Sequence, residues 1–557
     1  MEKMIIYQVL PRLFGNTNST CKPDGTLKEN GVGKFSDFSN RILRKIKNMG
    51  YTHVWFTGVI RHASKTDYSA FDIPKSHPDV VKGNAGSPYA ISDYYDVCPD
   101  LALRVDKRMD EFEKLIERVH EQGLKILIDF VPNHVAREYK SLKRPKRTKE
   151  LGANDNDALA FSPQNNFYYI PTKRLHFGSY EEIPAKATGN DCFTSHPDKN
   201  DWYETVKLNY GVDYLHHKSK NFYPVPDTWE RMTDILKFWA SKGVDGFRCD
   251  MAEMVPVEFW EWAIPKIKTK YKKIIFIAEV YNPYEYRNYI EKGKFDYLYD
   301  KVGLYDTIRN VICQNAPASE ISYCWQQVGD IQEYMLNFLE NHDEQRIASD
   351  FFAENPFAAI PGIIIAATLN TNPLMIYNGQ ELGEEGMDSE GFSGLDGRTT
   401  IFDYWSMSSV RNWYNQGKFN DELLNADQIQ LRDFYVKLLL LCNKEKAISE
   451  GLFYDLMYAN YNVEAFNSHN QYAYIRTDDD SALLIVVNFA DCAVDTKVKI
   501  PKHAFDFFKM VEKKNVSCID LLSGERIRQD ILPDTCFEMH IPAFSGRIYK
   551  WKRQIVI

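Results

Sequence analysis

The segment GFRCDMAEMV, residues 246–255, places an arginine and an aspartate two positions apart in an otherwise apolar run. Side chains alternate between the two faces of a strand, so Arg248 and Asp250 point to one face and Cys249 and Met251 to the other. A buried ion pair explains these residues as well as a functional site does, because desolvation offsets much of the attraction between two charges. The choice depends on whether other strand ends bring charges to the same place.

Three further acids stand at the ends of strand-like runs: Asp129 in LIDFVPNH, Glu279 in FIAEVYNP and Asp343 in LENHDEQR. Several carboxylates around one arginine repel one another severely, which favours a functional reason for the set. Glycosidic cleavage uses such a set: one carboxylate attacks the anomeric carbon, and a protonated carboxyl gives its proton to the leaving oxygen. In this scheme Arg248 keeps Asp250 ionised and aimed. Glu279 holds a proton near neutrality because negative charges face it.

Strand-like runs alternate with amphipathic helical patterns over most of the chain. The predicted strands cover residues 4–10, 53–59, 125–131, 246–252, 274–280, 295–300, 333–340 and 373–379. Helical patterns such as 35–50 and 108–123 lie between most of them and end on glycine, as helices commonly do. Eight such βα units predict an α/β fold with a closed (β/α)8 TIM barrel. Barrel active sites form at the carboxyl ends of the strands, so the acids are expected to meet at one mouth.

One connection between predicted strands is too long for an ordinary crossover. Asp129 and Asp250 are 121 residues apart, whereas a βαβ unit takes about 30. The excess is rich in aromatic residues and turn formers and predicts an inserted domain after the third strand. A long helix over 426–448 is expected to close the barrel, and alternating strand patterns follow it. The predicted division is a barrel over 1–135 and 226–449, an inserted domain over 136–225, and a C-terminal antiparallel β-sandwich over 450–557.

Composition excludes several other classes of protein. The formal charge of −9 and the pI near 5.9 argue against a nucleic-acid partner, which usually needs a basic surface. The ten cysteines are scattered without C-x-x-C spacing, which favours reduced thiols. No apolar run reaches the roughly 18 residues of a membrane span, and the N-terminus does not resemble a signal peptide. A cytoplasmic location is therefore expected for this chain; a periplasmic or secreted one stays open if a signal peptide was removed.

The four strand-end segments resemble the ordered short regions of the α-amylase family of retaining glycoside hydrolases, the family 13 type. DFVPNH, GFRCDMA, IAEV and ENHD resemble the first to the fourth region, and their order and strand context match along essentially the whole chain. The resemblance implies that Asp250 is the nucleophile and Glu279 the acid/base. It also implies that Asp343 holds the 2- and 3-hydroxyls of the distorted sugar and that Arg248 steadies Asp250.

The resemblance implies roles for several neighbouring side chains. His134 and His342 are expected to hydrogen-bond the sugar in the cleaved position. Tyr89 in GSPYAISDYYD resembles the tyrosine that stacks on this sugar, although a core aromatic beside a turn would give the same pattern. Asp129 and Asn133 are expected to support the site without reacting. In some members the residue that matches Asn133 ligates calcium.

The sequence departs from the best-known pattern just after the expected nucleophile. Glu253 and Met254 stand where many endo-acting members have a Lys-His pair that contacts the leaving-group sugar and helps to order a calcium. The N-terminal loop FGNTNSTCKPDG offers oxygen ligands but lacks the alternating acids of a strong calcium loop. We therefore expect that no cofactor is required, while a structural calcium stays open and no metal ligands are assigned.

The expected function is retaining hydrolysis of α-glucosidic bonds, α-1,4 above all, in starch-like oligo- or polysaccharides. An α-glucan transglycosylase is an alternative, because a sugar can replace water in capturing the glycosyl-enzyme. A catalytically inactive glucan-binding or transporter-associated barrel is another, but it would be expected to lose one of the acids. A metal-dependent barrel hydrolase is disfavoured because no H-x-H stands at a strand end, and His216 and His217 lie in the insertion.

Overall fold

A sheet of eight parallel strands forms the centre of the computed structural model, which describes residues 2–553. The strands are β1 Ile5–Val9, β2 His53–Phe56, β3 Lys125–Phe130, β4 Gly246–Cys249, β5 Ile275–Ala278, β6 Tyr297–Tyr299, β7 Met335–Leu336 and β8 Leu374–Tyr377. Their order is β7-β6-β5-β4-β3-β2-β1-β8, and a parallel bridge between Asn337 and Leu374 joins the two ends of the sheet. The prediction of a closed (β/α)8 barrel is confirmed, and each of the eight runs contains one strand.

Helices surround the barrel and follow its strands in turn. They are α1 Asn40–Asn48, α2 Arg108–Glu121, α3 Asp227–Lys242, α4 Val257–Lys270, α5 Tyr286–Glu291, α6 Asp306–Ile312, α7 Glu320–Gln327, α8 Ile360–Thr368, α9 Ser408–Tyr414, α10 Ala426–Lys444 and α11 Lys446–Ser449. The helix predicted over 426–448 is thus divided in two. Glu445 has an extended backbone, and its carboxylate accepts a hydrogen bond from Lys550 Nζ at 2.5 Å, so the first helix ends where the C-terminal domain packs against it.

The alternation of side chains along the strands explains how the barrel carries charges at one end. Leu127 of β3 and Ile277 of β5 point into the barrel and belong to a small apolar core inside it. Two residues later, on the same face, stand Asp129 and Glu279. The packed interior therefore ends in a polar layer at the carboxyl ends of the strands, which is where barrel enzymes build their sites.

Short antiparallel pairs build the segment between β3 and α3. The pairs are His134–Ala136 with Thr205–Lys207, Tyr169–Ile170 with Ala185–Lys186, Leu175–Phe177 with Tyr180–Glu182, and Val212–Asp213 with Ser219–Lys220. A further antiparallel pair, Ile60–His62 with Ile91–Val97, follows β2 and was not expected from the sequence. The exact domain boundaries proposed from the sequence stay predictions.

Antiparallel strands form the C-terminal part, as predicted. They are β9 Leu452–Asp455, β10 Gln471–Thr477, β11 Ser481–Asn488, β12 Val494–Ile500, β13 Lys513–Asp520, β14 Arg526–Ile531, β15 Thr535–Ile541 and β16 Ser545–Lys552. Six of them form one sheet in the order β9-β10-β11-β16-β13-β14, and β12 pairs with β15. Arg476 of β10 is fully buried at the junction with the barrel, where backbone carbonyls such as those of Leu369 and Ala447 accept its hydrogen bonds.

All ten cysteines are free thiols. Within residues 2–553, none of the helices is both long enough and apolar enough to cross a membrane.

Candidate active site

Arg248, near the end of β4, is the centre of the charged cluster. Its Nη1 donates a hydrogen bond to Asp250 Oδ1 at 2.8 Å, and its Nη2 lies 2.7 Å from Glu279 Oε1. Its Nε donates to the hydroxyl of Tyr299 in β6 at 3.2 Å. The side chain is only 1% exposed. Arg248 therefore serves two acids from neighbouring strands, which a simple Arg-Asp pair within one strand does not explain.

Glu279 is held by backbone and side-chain donors as well. Its Oε2 accepts the backbone N–H of Met251 at 2.7 Å, and its Oε1 accepts the hydroxyl of Tyr281 at 2.5 Å. Met251 has a left-handed backbone, with φ at 43°, so the strand alternation stops directly after Asp250. The sequence prediction that Met251 points away from Asp250 is wrong for this reason, and Met251 lines the same cavity.

The two acids that share Arg248 influence each other. Burial, and then the charge of Glu279, raise the pKa of Asp250 well above its usual range, while Arg248 opposes the shift. This shift is opposite to the expectation from the sequence that Arg248 keeps Asp250 ionised, because burial and the second acid outweigh the guanidinium. Two carboxylates on one guanidinium do not both ionise easily in a buried site. Such a pair can supply one carboxylate and one carboxylic acid, which is what acid-assisted attack on a glycosidic bond requires.

A second network lies beside the first, at the end of β7. His342 Nδ1 contacts Gln8 Nε2 at 2.8 Å, and its Nε2 contacts the hydroxyl of Tyr89 at 2.5 Å and Asp343 Oδ2 at 3.1 Å. The rings of Tyr89 and His342 stack with their centres 5.3 Å apart. Burial lowers the pKa of His342 to about 3, so its ring is neutral at ordinary pH. Asp343 remains 40% exposed and is free to meet a ligand.

One cavity of about 380 Å³ joins these networks. Of the residues proposed from the sequence, Tyr89, His134, Asp250, Glu279 and Asp343 line it. Arg248 and His342 lie behind this lining and contact its acids. The structure thus brings together every site residue that the sequence indicated.

The cavity also has walls that sequence reasoning missed. They include Lys82, Trp202, Glu204, Tyr281 and Phe402. Lys82 Nζ and Glu204 Oε1 form an ion pair at 2.9 Å, and the ring of Trp202 lies 5.4 Å from that of His134. Tyr281 could have been found, since it stands two residues after Glu279. Lys82, Trp202 and Glu204 lie in irregular segments that give no periodic signal.

Asn133 and Asp129 do not line the cavity but hydrogen-bond groups near it. Asp129 accepts the backbone N–H of Gly58 at 3.0 Å and the hydroxyl of Tyr89 at 3.4 Å, and burial raises the pKa of Asp129 to about 6. The amide of Asn133 donates to the carbonyl of Gly189 at 2.7 Å. Both residues therefore tie the barrel mouth to neighbouring loops.

A lysine ammonium occupies the place beside Asn133 where a calcium would need its ligands. Lys207 Nζ donates to Asn133 Oδ1 at 2.7 Å and lies 2.5 Å from Asp191 Oδ1. The side chain of Lys207 is 2% exposed, and this burial lowers the pKa of its ammonium group. A calcium ion would need the oxygens that already bind this positive charge, so the residues present do not fit the ion.

The N-terminal loop uses its oxygens internally. The side-chain oxygen of Asn16 accepts the backbone N–H of Asn18, and that of Asn18 accepts the backbone N–H of Thr20. Across residues 2–553, no three His, Cys, Asp or Glu side chains are grouped so that they could hold a metal ion.

A (β/α)8 barrel with three carboxylates and a buried arginine at its mouth is typical of enzymes that cleave glycosidic bonds. Comparison with known families agrees with this class. The family model described as alpha amylase, catalytic domain, matches residues 8–422. The chain belongs to the alpha-amylase family and is an alpha-amylase-like glycoside hydrolase that acts on α-glucans.

Individual relatives are distant. Alpha-amylase 2 of Dictyoglomus thermophilum is 21% identical over 499 residues, which cover 88% of this chain and 70% of that protein. A cyclomaltodextrinase of a Bacillus species is 22% identical over 498 residues, covering 87% and 72%. The crystal structure of the noncanonic maltogenic alpha-amylase AmyB from Thermotoga neapolitana matches with a TM-score of 0.63 at 19% identity, over 99% of this chain and 98% of that one. The structural likeness establishes the shared fold.

Proposed function

We propose that this enzyme hydrolyses α-1,4-glucosidic bonds in starch-like oligo- or polysaccharides with retention of anomeric configuration. The observation that carries the proposal is the guanidinium of Arg248, which contacts Asp250 at 2.8 Å and Glu279 at 2.7 Å. In retaining enzymes the two catalytic carboxyl groups are about 5–5.5 Å apart, whereas inverting enzymes need a wider gap to hold a water between them. A single guanidinium that contacts both carboxyls fits the shorter separation.

In the first step, Asp250 forms a bond to the anomeric carbon from the face opposite the leaving oxygen. Glu279 transfers its proton to that oxygen as the glycosidic bond breaks, and the shortened sugar chain departs. Arg248 stays in contact with both carboxyls, so it stabilises the negative charge as it passes from Asp250 to Glu279. A covalent glycosyl-enzyme with inverted configuration results.

In the second step, Glu279 takes a proton from water while the water oxygen attacks the same carbon and releases Asp250. The two inversions together give net retention. Asp343 is the most exposed acid of the cluster and is suited to accept hydrogen bonds from the 2- and 3-hydroxyls of the sugar. His134 lines the cavity and is suited to hydrogen-bond the same sugar, and Tyr89 offers its ring as a stacking surface. His342 is fully buried and both of its ring nitrogens already contact protein groups, so it acts on the sugar through Tyr89 and Asp343.

We also propose that catalysis needs no metal ion. The support is the buried Lys207, whose ammonium group already binds Asn133 and Asp191. No step above requires a Lewis acid, because Arg248 and Glu279 supply the positive charge and the proton.

The test follows fresh product by proton NMR during cleavage of maltoheptaose, with chromatography of the products from maltoheptaose, pullulan and starch over time. We expect α-anomers first, and glucose or short maltosaccharides as products. An initial β-anomer would show inversion and contradict the proposal. Products longer than the substrate would show that transfer to sugar competes with hydrolysis.

A further inference from the structure

Glu253 joins the loop after β4 to the loop after β5. Its Oε2 accepts the backbone N–H of Tyr281 at 3.1 Å and that of Asn282 at 3.0 Å. Its own backbone carbonyl accepts the hydroxyl of Tyr289 from α5 at 3.1 Å. One side chain therefore satisfies two consecutive backbone donors and fixes the path of the second loop.

The fixed loop acts directly on the expected acid. Tyr281 donates its hydroxyl to Glu279 Oε1 at 2.5 Å, while the loop after β4 presents the backbone N–H of Met251 to Glu279 Oε2 at 2.7 Å. Glu253 stands two residues after Met251, so each of the two loops contributes one donor to the same carboxyl, and Glu253 connects them.

We propose that Glu253 and Tyr281 are positioning residues that set the orientation and proton affinity of Glu279, a role that rests on the proposed function of Glu279 as acid/base. A carboxylate suits this place because backbone N–H groups need an acceptor. A lysine at position 253, the residue type of many endo-acting family members, has no acceptor to offer. The departure from the Lys-His pattern is thus a different way of holding the acid.

The sign of the expected pH effect follows from these contacts. The titratable and charged groups around Glu279 are Arg248, Asp250, Tyr281, Tyr299, His342 and Asp343. Of these, only Tyr281 changes in the variants below. A hydroxyl that donates to a carboxylate stabilises its charged form, so Tyr281 favours loss of the proton from Glu279. Activity that needs protonated Glu279 should therefore persist to higher pH without this hydroxyl.

The variants are Tyr281→Phe, Glu253→Ala and Glu253→Gln. For Tyr281→Phe we expect the basic limb of kcat/KM on maltoheptaose to move up by about one pH unit. For Glu253→Ala we expect kcat to fall by about tenfold with little change in KM, because the carboxyl is misplaced while the sugar contacts remain. Glu253→Gln should recover most of this loss, since its amide oxygen can still accept both N–H groups.

The deciding comparison uses two substrates in single-turnover experiments. Maltoheptaose needs a proton on its leaving oxygen, whereas release of fluoride from an α-glucosyl fluoride does not. Glu253→Ala should slow the first reaction and leave fluoride release within about twofold of the parent. Tyr281→Phe should move the basic limb of the first reaction only. Tyr284→Phe is the matched control, because this tyrosine lies on the same loop, is 94% exposed and should change neither reaction.

Glu279→Gln separates failure of this inference from failure of the proposed function. It should nearly abolish cleavage of maltoheptaose and spare fluoride release. If Glu279→Gln shows no such difference, the acid role of Glu279 is wrong. If Glu279→Gln shows it while Glu253→Ala and Tyr281→Phe behave like the parent on both substrates and at all pH values, the positioning role is wrong. Equal slowing of both reactions by Glu253→Ala would also contradict it, because a general loss of structure does not distinguish the substrates.

Discussion

Arg248 and Lys207 are both cations buried near the barrel mouth, and each contacts oxygens from two parts of the chain. Arg248 holds Asp250 and Glu279, which face the cavity. Lys207 holds Asn133 and Asp191, and it connects the start of the segment between β3 and α3, just after the barrel strand, to later parts of that segment. The two centres use the same physical device in different surroundings.

The two centres differ in the surroundings of the oxygens that bind each cation. The acids on Arg248 repel each other, which costs stability, and they are open to a ligand with which they can react. The oxygens on Lys207 have no such crowding, and their cation is enclosed. We therefore expect changes at the first centre to remove activity without loss of stability, and changes at the second to do the reverse.

The largest effect is expected from the acids of the first centre. Asp250→Asn, Glu279→Gln and Asp343→Asn should each lower turnover on α-glucans by about 10³-fold or more. Their melting temperatures should equal or exceed that of the parent, because each change removes a negative charge from a crowded site. Steady-state rates and thermal unfolding measure the two properties separately, and near-normal turnover of any variant would show that its role is misassigned.

The second centre should respond in the opposite way. Lys207→Met leaves the oxygens of Asn133 and Asp191 without their cation, and breaking a buried pair in this manner costs about 3–5 kcal/mol in free energy of unfolding. Lys220→Met is the matched control, since Lys220 is 56% exposed and its ion pair with Glu258 is worth about 1 kcal/mol at most. Urea unfolding gives both values. Equal stabilities for the two variants would remove the distinction between the centres.

His134 stands between the two centres and supplies a pH test. Burial, and then the charge of Lys207, lower the pKa of His134 to about 3, below the ordinary value of about 6.5 in an unfolded chain. As pH falls below 6.5 the unfolded state takes up a proton that the folded state refuses, so stability falls by up to about 1.4 kcal/mol per pH unit.

His134→Gln should reduce that slope between pH 6.5 and pH 4, whatever its effect on absolute stability. Asp129, with its pKa raised to about 6, gives a slope of opposite sign, but this term is common to both proteins and cancels in the comparison. The measurement is urea unfolding at a series of pH values. An unchanged slope would mean that His134 is not held neutral by its surroundings.

The smallest effect is expected from removal of divalent metal. Because Lys207 already supplies the positive charge beside Asn133, EDTA should change neither the turnover nor the melting temperature. Loss of activity in EDTA that calcium alone restores would contradict the lysine's role.

The chemistry of the first centre was predictable from the sequence, and that of the second was not. Arg248, Asp250 and Glu279 stand on or just after regular strands, where alternation and the barrel geometry decide which side chains share one face. Lys207 and Asp191 lie in a segment with little periodicity, and the lysine reaches Asn133 across 74 residues of chain. Nothing local in the sequence fixes such a contact.

Two features of the loops could not be foreseen for a related reason. The left-handed backbone of Met251 turns it into the cavity against the strand pattern, and the contact of Glu253 with Tyr281 depends on how two loops meet. A departure from a family pattern, such as Glu253, indicates that the contacts at this position differ from those in other members. It does not indicate which groups the new side chain contacts. Only the folded chain shows that partner.

The most direct test of retention with these two acid roles is azide rescue with an α-glucosyl fluoride. In Glu279→Ala, Asp250 can still form the glycosyl-enzyme, and azide attacks it without a general base, so the account predicts an α-glucosyl azide. In Asp250→Ala, azide enters the vacated space and attacks the fluoride once, so a β-glucosyl azide is expected. NMR of the isolated azides distinguishes the anomers. The β product from Glu279→Ala together with the α product from Asp250→Ala would show that nucleophile and acid are exchanged.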